Sequence, residues 1–434
     1  MSRKSKQKNN NSAFSRTDYL CVLPGILMCA IILIMLLMDL ALPEMSEFQY
    51  QSFPQLFRGA NILICISGIL FLVFYCSSLF HKKNELDLAA INWLLFGAFY
   101  ICIILSTIVN GLDDKAIHGV SFRDIGIFHI LAFIAFYMGL SSHIKSKAMR
   151  MIEILIYIGT SDFVAVAALI DKYFWPIAAF REKKDLSAVF FNGNHYGYFL
   201  VMAILVALGL TLCSDNKRIR VFSAVSMILN GSLLVMNGSA GCMVALTVSV
   251  IFAMAIFFKS NKNDVSHNKI AKIALISLLL ILIMLACVTG IAGDIAHSIS
   301  AIISNSEDAS SAGHNRWLLW SETCKYIAQK PILGYGCEGL SDILMDSLGR
   351  ANPHNEMLSY ASEFGIPAAV LYTAAVIIMI FSSIKDLSTL DDTHLSALLA
   401  AFGYFISSFF GVPMFYTLPF FFIFLGLSIS PRKI

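Results

Sequence analysis

The chain has 434 residues, of which 58% are hydrophobic and only 14% are charged. Soluble domains contain about 45–50% apolar and about 25% charged residues. This composition therefore excludes a large soluble core and predicts an all-α polytopic membrane protein. The net charge of +3 gives no support for binding nucleic acid. The ten cysteines are scattered, without a CxxC pair or a Cys/His cluster, so we expect neither a metal site nor a cofactor.

Apolar stretches recur along the whole chain. A membrane-spanning helix needs about 20 mainly apolar residues, and by this rule we expect about 12 transmembrane helices. Residues 1–19 form a basic cytoplasmic tail, residues 20–430 a single transmembrane domain, and residues 431–434 a second cytoplasmic tail. The predicted helix centres lie near Ile32, Leu70, Phe99, Ile130, Ile158, Ala203, Met227, Val248, Leu280, Ala369, Ala401 and Phe421.

Loops that are rich in Lys and Arg alternate along the chain with loops that contain few of them. Cytoplasmic loops carry the excess of Lys and Arg in membrane proteins, and most of the 31 basic residues fall on one side if the N-terminus is inside. Both termini are therefore expected to be cytoplasmic, with the protein in the bacterial inner membrane. Two long loops, at about residues 171–194 and 293–352, are then extracytoplasmic. The second lies between spans 9 and 10, and we expect it to contain short helices and the catalytic residues.

A helix is predicted within the second long loop, in the sequence SAGHNRWLLWSETCKYIAQKP. Trp317, Trp320, Cys324 and Ile327 fall roughly on one stripe, and Pro331 would end the helix. The tryptophans suggest a helix lying on the membrane surface. The same loop contains Cys337, which could pair with Cys324 in an oxidising compartment.

Arg316 opens this predicted helix. Arginine holds phosphate oxygens with a bidentate fork and keeps its charge near lipid. The alternative interpretation of Arg316 is a surface side chain among lipid headgroups.

The sequence ANPHNEM holds the strongest candidate for a catalytic base. Asn352 followed by Pro353 fits an N-cap and a first helical position, which predicts His354 in the first turn of the tenth span. A helix N-terminus favours neutral imidazole and also attracts anions. His354 is therefore a candidate general base beside a phosphate-binding surface. Alternatively, it only caps the helix or bonds within the loop.

Further candidates lie at the expected outer ends of the spans. The arginines are candidate cations or parts of solvated loops, and the asparagines could cap a helix or bind a sugar. The glycines could form a turn that approaches a ligand or an ordinary reversal. These candidates are Arg123, Arg181 with its neighbours Lys183 and Lys184, Asn192, Asn194, Gly334, Gly336 and Glu363.

Several of these elements recur in the order of a known family. The chain resembles the O-antigen ligase and polymerase superfamily, the Wzy/WaaL-type membrane glycosyltransferases. The family pattern is an arginine and a tryptophan in a helix, a proline, a Gly-x-Gly turn, a His-Asn pair and a Glu-x-Gly. Its elements here are Arg316, Trp320, Pro331, Gly334, Gly336, His354, Asn355, Glu363 and Gly365, with Asn192 and Asn194 before the sixth span. One departure is Ala240, which stands where the family often has an arginine.

The resemblance implies glycan transfer on the outer face from an undecaprenyl-pyrophosphate-linked donor to an acceptor sugar, without an essential metal. It implies roles for His354 as base or base-orienting residue, Arg316 as pyrophosphate clamp and Asn355 in positioning. Arg123 or the cluster at Arg181 would then replace the cation that is missing at Ala240.

Four functions remain open from the sequence. We favour a polymerase of O-antigen, capsule or exopolysaccharide repeat units. A ligase that transfers the glycan to a lipid or protein acceptor has the same architecture. A transporter of lipid-linked or small solutes and a catalytically silent paralogue are further alternatives. Membrane lipid, the glycan acceptor, a flippase and a chain-length regulator are the expected partners.

Overall fold

The computed structural model describes residues 16–41, 62–70, 72–73, 88–120, 123–144, 146–174, 186–190, 192–259, 265–304, 310–313, 315–384 and 391–429. These residues form α-helices and short 3-10 turns, and no strand occurs among them. The all-α prediction is therefore confirmed. The cluster at Arg181, Lys183 and Lys184 lies outside the described residues.

The longer helices are numbered here in chain order. The first part of the chain forms α1 (Arg16–Ala41), α2 (Leu88–Asn110), α3 (Asp114–His118), α4 (Ile127–His143), α5 (Lys147–Tyr173) and α6 (Gly193–Cys213). The middle forms α7 (Lys217–Asn237), α8 (Ala240–Lys259), α9 (Val265–Val288) and α10 (Ile291–Ser304). The last part forms α11 (Arg316–Gln329), α12 (Ser341–Leu348), α13 (Glu356–Phe364), α14 (Ile366–Ile384), α15 (Asp392–Ser407) and α16 (Leu418–Leu427).

Nine helices in the described ranges are long and apolar enough to cross a membrane: α1, α2, α5, α6, α7, α8, α9, α14 and α15. The predicted centres near Ile130 and Phe421 fall on the shorter apolar helices α4 and α16. The centre near Leu70 falls at the end of a helical stretch over residues 62–70. The polytopic class is confirmed, and nine of the twelve predicted centres lie on helices of spanning length.

Helix α6 lies at the centre of the bundle. Nearly all of its side chains are buried, as expected for a helix that is apolar on every face. It packs against α7 and α15, and α15 in turn packs against α8 and α16. The short α16 is completely buried because α4 also covers it. The start of α6, the end of α7 and the start of α8 meet, because Asn237 Nδ2 donates to the Gly193 carbonyl oxygen and the Ser239 hydroxyl donates to Asn194 Oδ1.

Contacts join segments that were predicted to share a side of the membrane. On the predicted inner side, Arg150 Nη2 donates to Asp391 Oδ2 at 2.7 Å. On the predicted outer side, Lys115 Nζ lies 2.5 Å from Asp342 Oδ2. These pairings support the alternation of loops. Which face is cytoplasmic stays a prediction.

The predicted loop helix exists as α11, and it ends at Gln329, just before Pro331. Its buried stripe consists of Leu319, Thr323 and Ile327, which are spaced by four residues and therefore share one face. Of the predicted stripe, Ile327 is buried, whereas Trp317 and Cys324 are exposed. The predicted stripe therefore differs from the face that packs against the protein, and its contact with the membrane surface stays a prediction.

Cys324 and Cys337 are both free thiols. Cys324 is exposed, whereas Cys337 is buried with its Sγ 3.8 Å from the carbonyl oxygen of Ile125. The disulfide considered for the outer loop is therefore not formed.

Candidate active site

His354 lies in the loop immediately before α13. The N-cap of α13 is Asn355, whose Oδ1 accepts a hydrogen bond from the Leu358 amide at 3.1 Å. The predicted N-cap at Asn352, with His354 in the first turn of a span, is therefore wrong. Asn352 Oδ1 instead accepts from the amide of His354 at 3.2 Å, which forms a local turn. The spanning helix α14 begins only at Ile366.

The backbone of His354 is held in a strained conformation. Its φ is +49°, in the left-handed region that non-glycine residues rarely adopt. Trp320 of α11 fixes the loop, because its indole Nε1 donates to the Pro353 carbonyl oxygen at 2.9 Å. Strained residues of this kind cluster at functional sites, where the surrounding structure determines them.

The buried carboxyl group of Glu356, at the start of α13, anchors this loop. Glu356 Oε1 accepts hydrogen bonds from the hydroxyls of Tyr360 at 3.0 Å and Tyr372 at 2.7 Å, and Oε2 accepts from Tyr404 at 3.4 Å. Burial raises the pKa of Glu356 to about 7, although these hydroxyls work in the opposite direction. The network joins α13 to α14 and α15, so it fixes where the His354 loop stands.

A cavity of about 390 Å³ opens beside His354. This volume lies within the range of small-molecule sites, about 300–1,000 Å³. No acidic residue lines it in the described part of the chain. The lining residues come from the starts of α6, α8 and α11, the end of α7 and the loop after α12: Asn192, Gly193, Asn194, Asn237, Gly238, Ser239, Ala240, Asn315, Arg316, Leu319, Arg350 and His354.

Two arginines line this cavity. Arg316 is the first residue of α11 and follows Asn315, whose φ is +68°. Arg350 follows Gly349, the left-handed C-cap of α12. Within the described ranges neither guanidinium is paired with a carboxylate. The sequence analysis named only Arg316 as a candidate site residue, because nothing in the local sequence distinguishes Arg350 from an ordinary loop residue.

The electrostatic surroundings keep the His354 ring neutral. Burial lowers the pKa of His354 to about 4, and the positive charges of Arg316, Arg350 and Arg123 act in the same direction. The ring is therefore unprotonated at neutral pH and can accept a proton. Neutrality was predicted from a helix N-terminus, but burial and the neighbouring arginines account for it.

Asparagines from the start of α6 and the end of α7 also line the cavity. Asn192 caps α6 by accepting from the Asn194 amide at 2.8 Å, and Ser239 donates its hydroxyl to Asn194 Oδ1 at 2.8 Å. Asn237 Nδ2 donates to the carbonyl oxygens of Leu186 and Gly193 at 2.6 and 2.9 Å. Asn192 and Asn194 lie where the sequence placed them. Asn237 and Ser239 were missed, although the Asn-Gly-Ser between two apolar stretches marks the helix junction.

Arg123 belongs to a separate buried cluster. Its Nη1 lies 2.8 Å from Glu338 Oε2 and 3.2 Å from Glu363 Oε1. Burial raises the pKa of Glu338 to about 7 in spite of the Arg123 charge. Burial also works against the charge of Arg123, yet the two carboxylates raise its pKa above the ordinary value. Neither Arg123 nor Glu363 lines the cavity.

The two glycine motifs pack against each other. Tyr335 and Gly336 donate their amides to the carbonyl oxygens of Ser362 and Glu363, each at 2.8 Å. A Cβ on Gly334, whose φ is +60°, would stand 2.5 Å from the Ser362 oxygen. The close approach predicted for Gly334 and Gly336 therefore occurs, but its partner is the end of α13. Neither glycine lines the cavity, and neither does Asn355, which caps α13.

The fold and the site together define a class: a polytopic membrane protein with a cationic cavity that contains a neutral histidine at one end of its helix bundle. Residues 225–373 match the sequence profile of a family described as O-Antigen ligase. This match supports the resemblance to the O-antigen ligase and polymerase superfamily, whose members are glycosyltransferase-like enzymes, and the resemblance is confirmed over these residues. The matched stretch contains Ala240, Arg316, Arg350 and His354. No curated protein sequence matches the chain.

Proposed function

We propose that the protein polymerises undecaprenyl-pyrophosphate-linked oligosaccharide repeat units into a surface polysaccharide on the outer face of the bacterial cytoplasmic membrane. The observation that carries this proposal is the juxtaposition on one cavity of a neutral histidine, His354, and of Arg316, which has no carboxylate partner among the described residues. The family of residues 225–373 supports a lipid-linked glycan as substrate.

The reaction divides between these two side chains. A hydroxyl oxygen of the acceptor sugar attacks the anomeric carbon of the donor glycan, and the bond from that carbon to the diphosphate oxygen breaks. The electron pair leaves with the diphosphate, and the hydroxyl proton passes to His354. Arg316 offsets the charge that develops on the departing diphosphate. General-base catalysis of this kind contributes about 10²–10⁴-fold.

The glycine and carboxylate motifs have a supporting role in this proposal. Gly334 and Gly336 anchor the loop after α11 to the end of α13, and Asn355 caps the start of α13. Both ends of α13 are thereby fixed, and His354 stands directly before it. Asn192 and Asn194 are the proposed sugar-binding wall.

Replacement of His354 tests the proposed base. His354→Ala is expected to reduce polymer formation about 10²–10⁴-fold at an unchanged level of protein in the membrane. His118→Ala is the matched control, because His118 is a histidine of the same predicted side that does not line the cavity. Glycan size on gels and immunoblots of the membrane fraction give the two readouts. Full-length polymer from His354→Ala at a normal protein level contradicts the proposal.

The second candidate is a ligase, which the description of the matching family profile favours. A ligase would transfer the completed glycan from the same donor to a lipid or protein acceptor. Deletion of the gene separates the two: single repeat units on the lipid carrier indicate a lost polymerase. Full-length polymer stranded on undecaprenyl pyrophosphate indicates a lost ligase.

A further inference from the structure

The cavity contains one cation more than the single clamp of the proposed function. Arg350 lines it together with Arg316 and His354, and in the described residues it has no carboxylate partner. Its charge reaches the imidazole, since Arg350 is among the groups that lower the pKa of His354. An arginine without an internal counterion on a cavity without acidic residues attracts an anion.

Arg350 is held in place by the backbone on both sides. Helix α12 ends at Leu348, and Gly349 reverses the chain with a φ of +65°. After Arg350, the turn at Asn352 and the indole bond to Pro353 fix the chain. Arg350 is exposed, whereas Arg316 is half-buried. The two cations therefore approach the cavity from different segments, as two binding points for one extended anion would.

We propose that Arg350 is the second phosphate-binding cation of the cavity and that Arg316 and Arg350 together select a lipid diphosphate over a lipid monophosphate. This inference rests on the proposed function and adds the basis of its leaving-group specificity. A diphosphate presents two charged phosphate groups, and each can accept hydrogen bonds from one guanidinium. A monophosphate presents one group, so it gains little from the second arginine.

A second position on the cavity allows the positive charge to be moved to another helix. Ala240 lines the same cavity at the start of α8 and contributes only a methyl group. An arginine at this position would bring a guanidinium into the cavity from another helix. If the site requires two cations and not Arg350 in particular, A240R should compensate for the loss of Arg350.

Binding of two matched probes tests the proposal. Full-length protein in phosphatidylcholine nanodiscs is titrated with farnesyl diphosphate and with farnesyl phosphate. Hydrogen bonds to charged groups contribute about 1.5–3 kcal/mol, so R350Q is expected to weaken diphosphate binding about tenfold or more. Monophosphate binding is expected to change less than about twofold, because Arg316 still serves the single phosphate group.

Three variants sharpen this test. K325Q is the matched control, because Lys325 is an exposed cation of the same loop region that does not line the cavity. It should change neither affinity. R350K keeps the charge without the fork and should retain part of the diphosphate preference. The double variant A240R/R350Q should regain most of the preference that R350Q loses.

The outcomes separate this inference from the proposed function. Equal losses for the two probes in R350Q, or no loss at all, overturn the role of Arg350. If R316Q also leaves binding unchanged, the clamp assigned in the proposed function fails as well. A lipid headgroup is the other source of phosphate. Binding of the protein to phosphatidylglycerol is therefore measured as well. If R350Q weakens binding to phosphatidylglycerol but leaves the affinity for farnesyl diphosphate unchanged, Arg350 binds headgroups and the inference is wrong.

Discussion

Two arginine sites lie in the same region of the molecule and use their charge differently. Arg123 is 5% exposed and is bonded to two buried carboxylates. Arg316 and Arg350 line an open cavity and are paired with no carboxylate in the described chain. The charge of Arg123 is balanced within the protein, whereas those of Arg316 and Arg350 face the cavity in which we propose that the diphosphate binds. An arginine in an outer loop is therefore a binding candidate only when the fold supplies no carboxylate for it.

The largest expected effect comes from breaking the satisfied cluster. Arg123→Gln leaves Glu338 and Glu363 buried without their cation, which should cost about 3–5 kcal/mol of unfolding free energy. Thermal unfolding in detergent measures the loss. Adding Glu338→Gln to the same chain should restore part of it, because one buried charge is then removed. An unchanged midpoint in Arg123→Gln would show that the cluster is not structural.

A smaller effect, on activity alone, is expected from the open cavity. Arg316→Lys keeps the charge but loses the bidentate fork, so polymer formation should fall about 10–100-fold. The unfolding midpoint should stay that of the unaltered protein, in contrast to Arg123→Gln. Full activity in Arg316→Lys would contradict bidentate phosphate binding.

The glycine motif that joins the two regions should be sensitive to one added methyl group. Gly365 has a φ of +93°, and a Cβ there would stand 1.9 Å from the Ile332 carbonyl oxygen. Gly365→Ala should therefore cost on the order of 1–3 kcal/mol of stability. Gly97→Ala is the control, because a Cβ on Gly97 meets nothing within 4 Å. Equal unfolding midpoints for these two variants would argue against the packed glycine turn.

The charges of the open cavity should also be visible in the pH dependence of activity. His354 must be unprotonated to accept a proton, and its pKa is about 4, so activity should be lost only as pH falls towards that value. Removing a positive neighbour in Arg350→Gln should raise this pKa towards the ordinary value of 6.5, and the acid limb should move upwards. An acid limb that is identical in both proteins would disprove the electrostatic coupling.

The smallest effect is expected from a surface pair beside the satisfied cluster. Lys115 and Asp342 form an ion pair in which the side chains are 38% and 80% exposed. Exposed pairs contribute about 0–1 kcal/mol, so Lys115→Ala should leave the unfolding midpoint nearly unchanged. A loss of stability comparable to that of Arg123→Gln would mean that an ion pair contributes equally whether it is exposed or buried.

Local sequence signals predicted several of the structural elements that surround the cavity. Helix α11 with Arg316 in its first turn follows from apolar spacing and from Pro331, both of which act within a few residues. Asn192 and Asn194 were found because helix caps are local. His354 was also named, although its position relative to the helix was predicted wrongly. Asn352 and Asn355 can each cap a helix, and in the structure Asn355 is the cap of α13.

The sequence by itself determined the all-α membrane class, because hydropathy adds up locally over each span. It also predicted the alternation of loops and proposed the residues that carry the chemistry. Only the tertiary structure decided which arginine is paired with carboxylates and which lines the cavity. Arg123 meets Glu338 from 215 residues away, and Arg350 reaches the cavity because helices α6, α7, α8 and α11 converge there. Electrostatic pairing depends on distances in space, which a linear pattern does not contain.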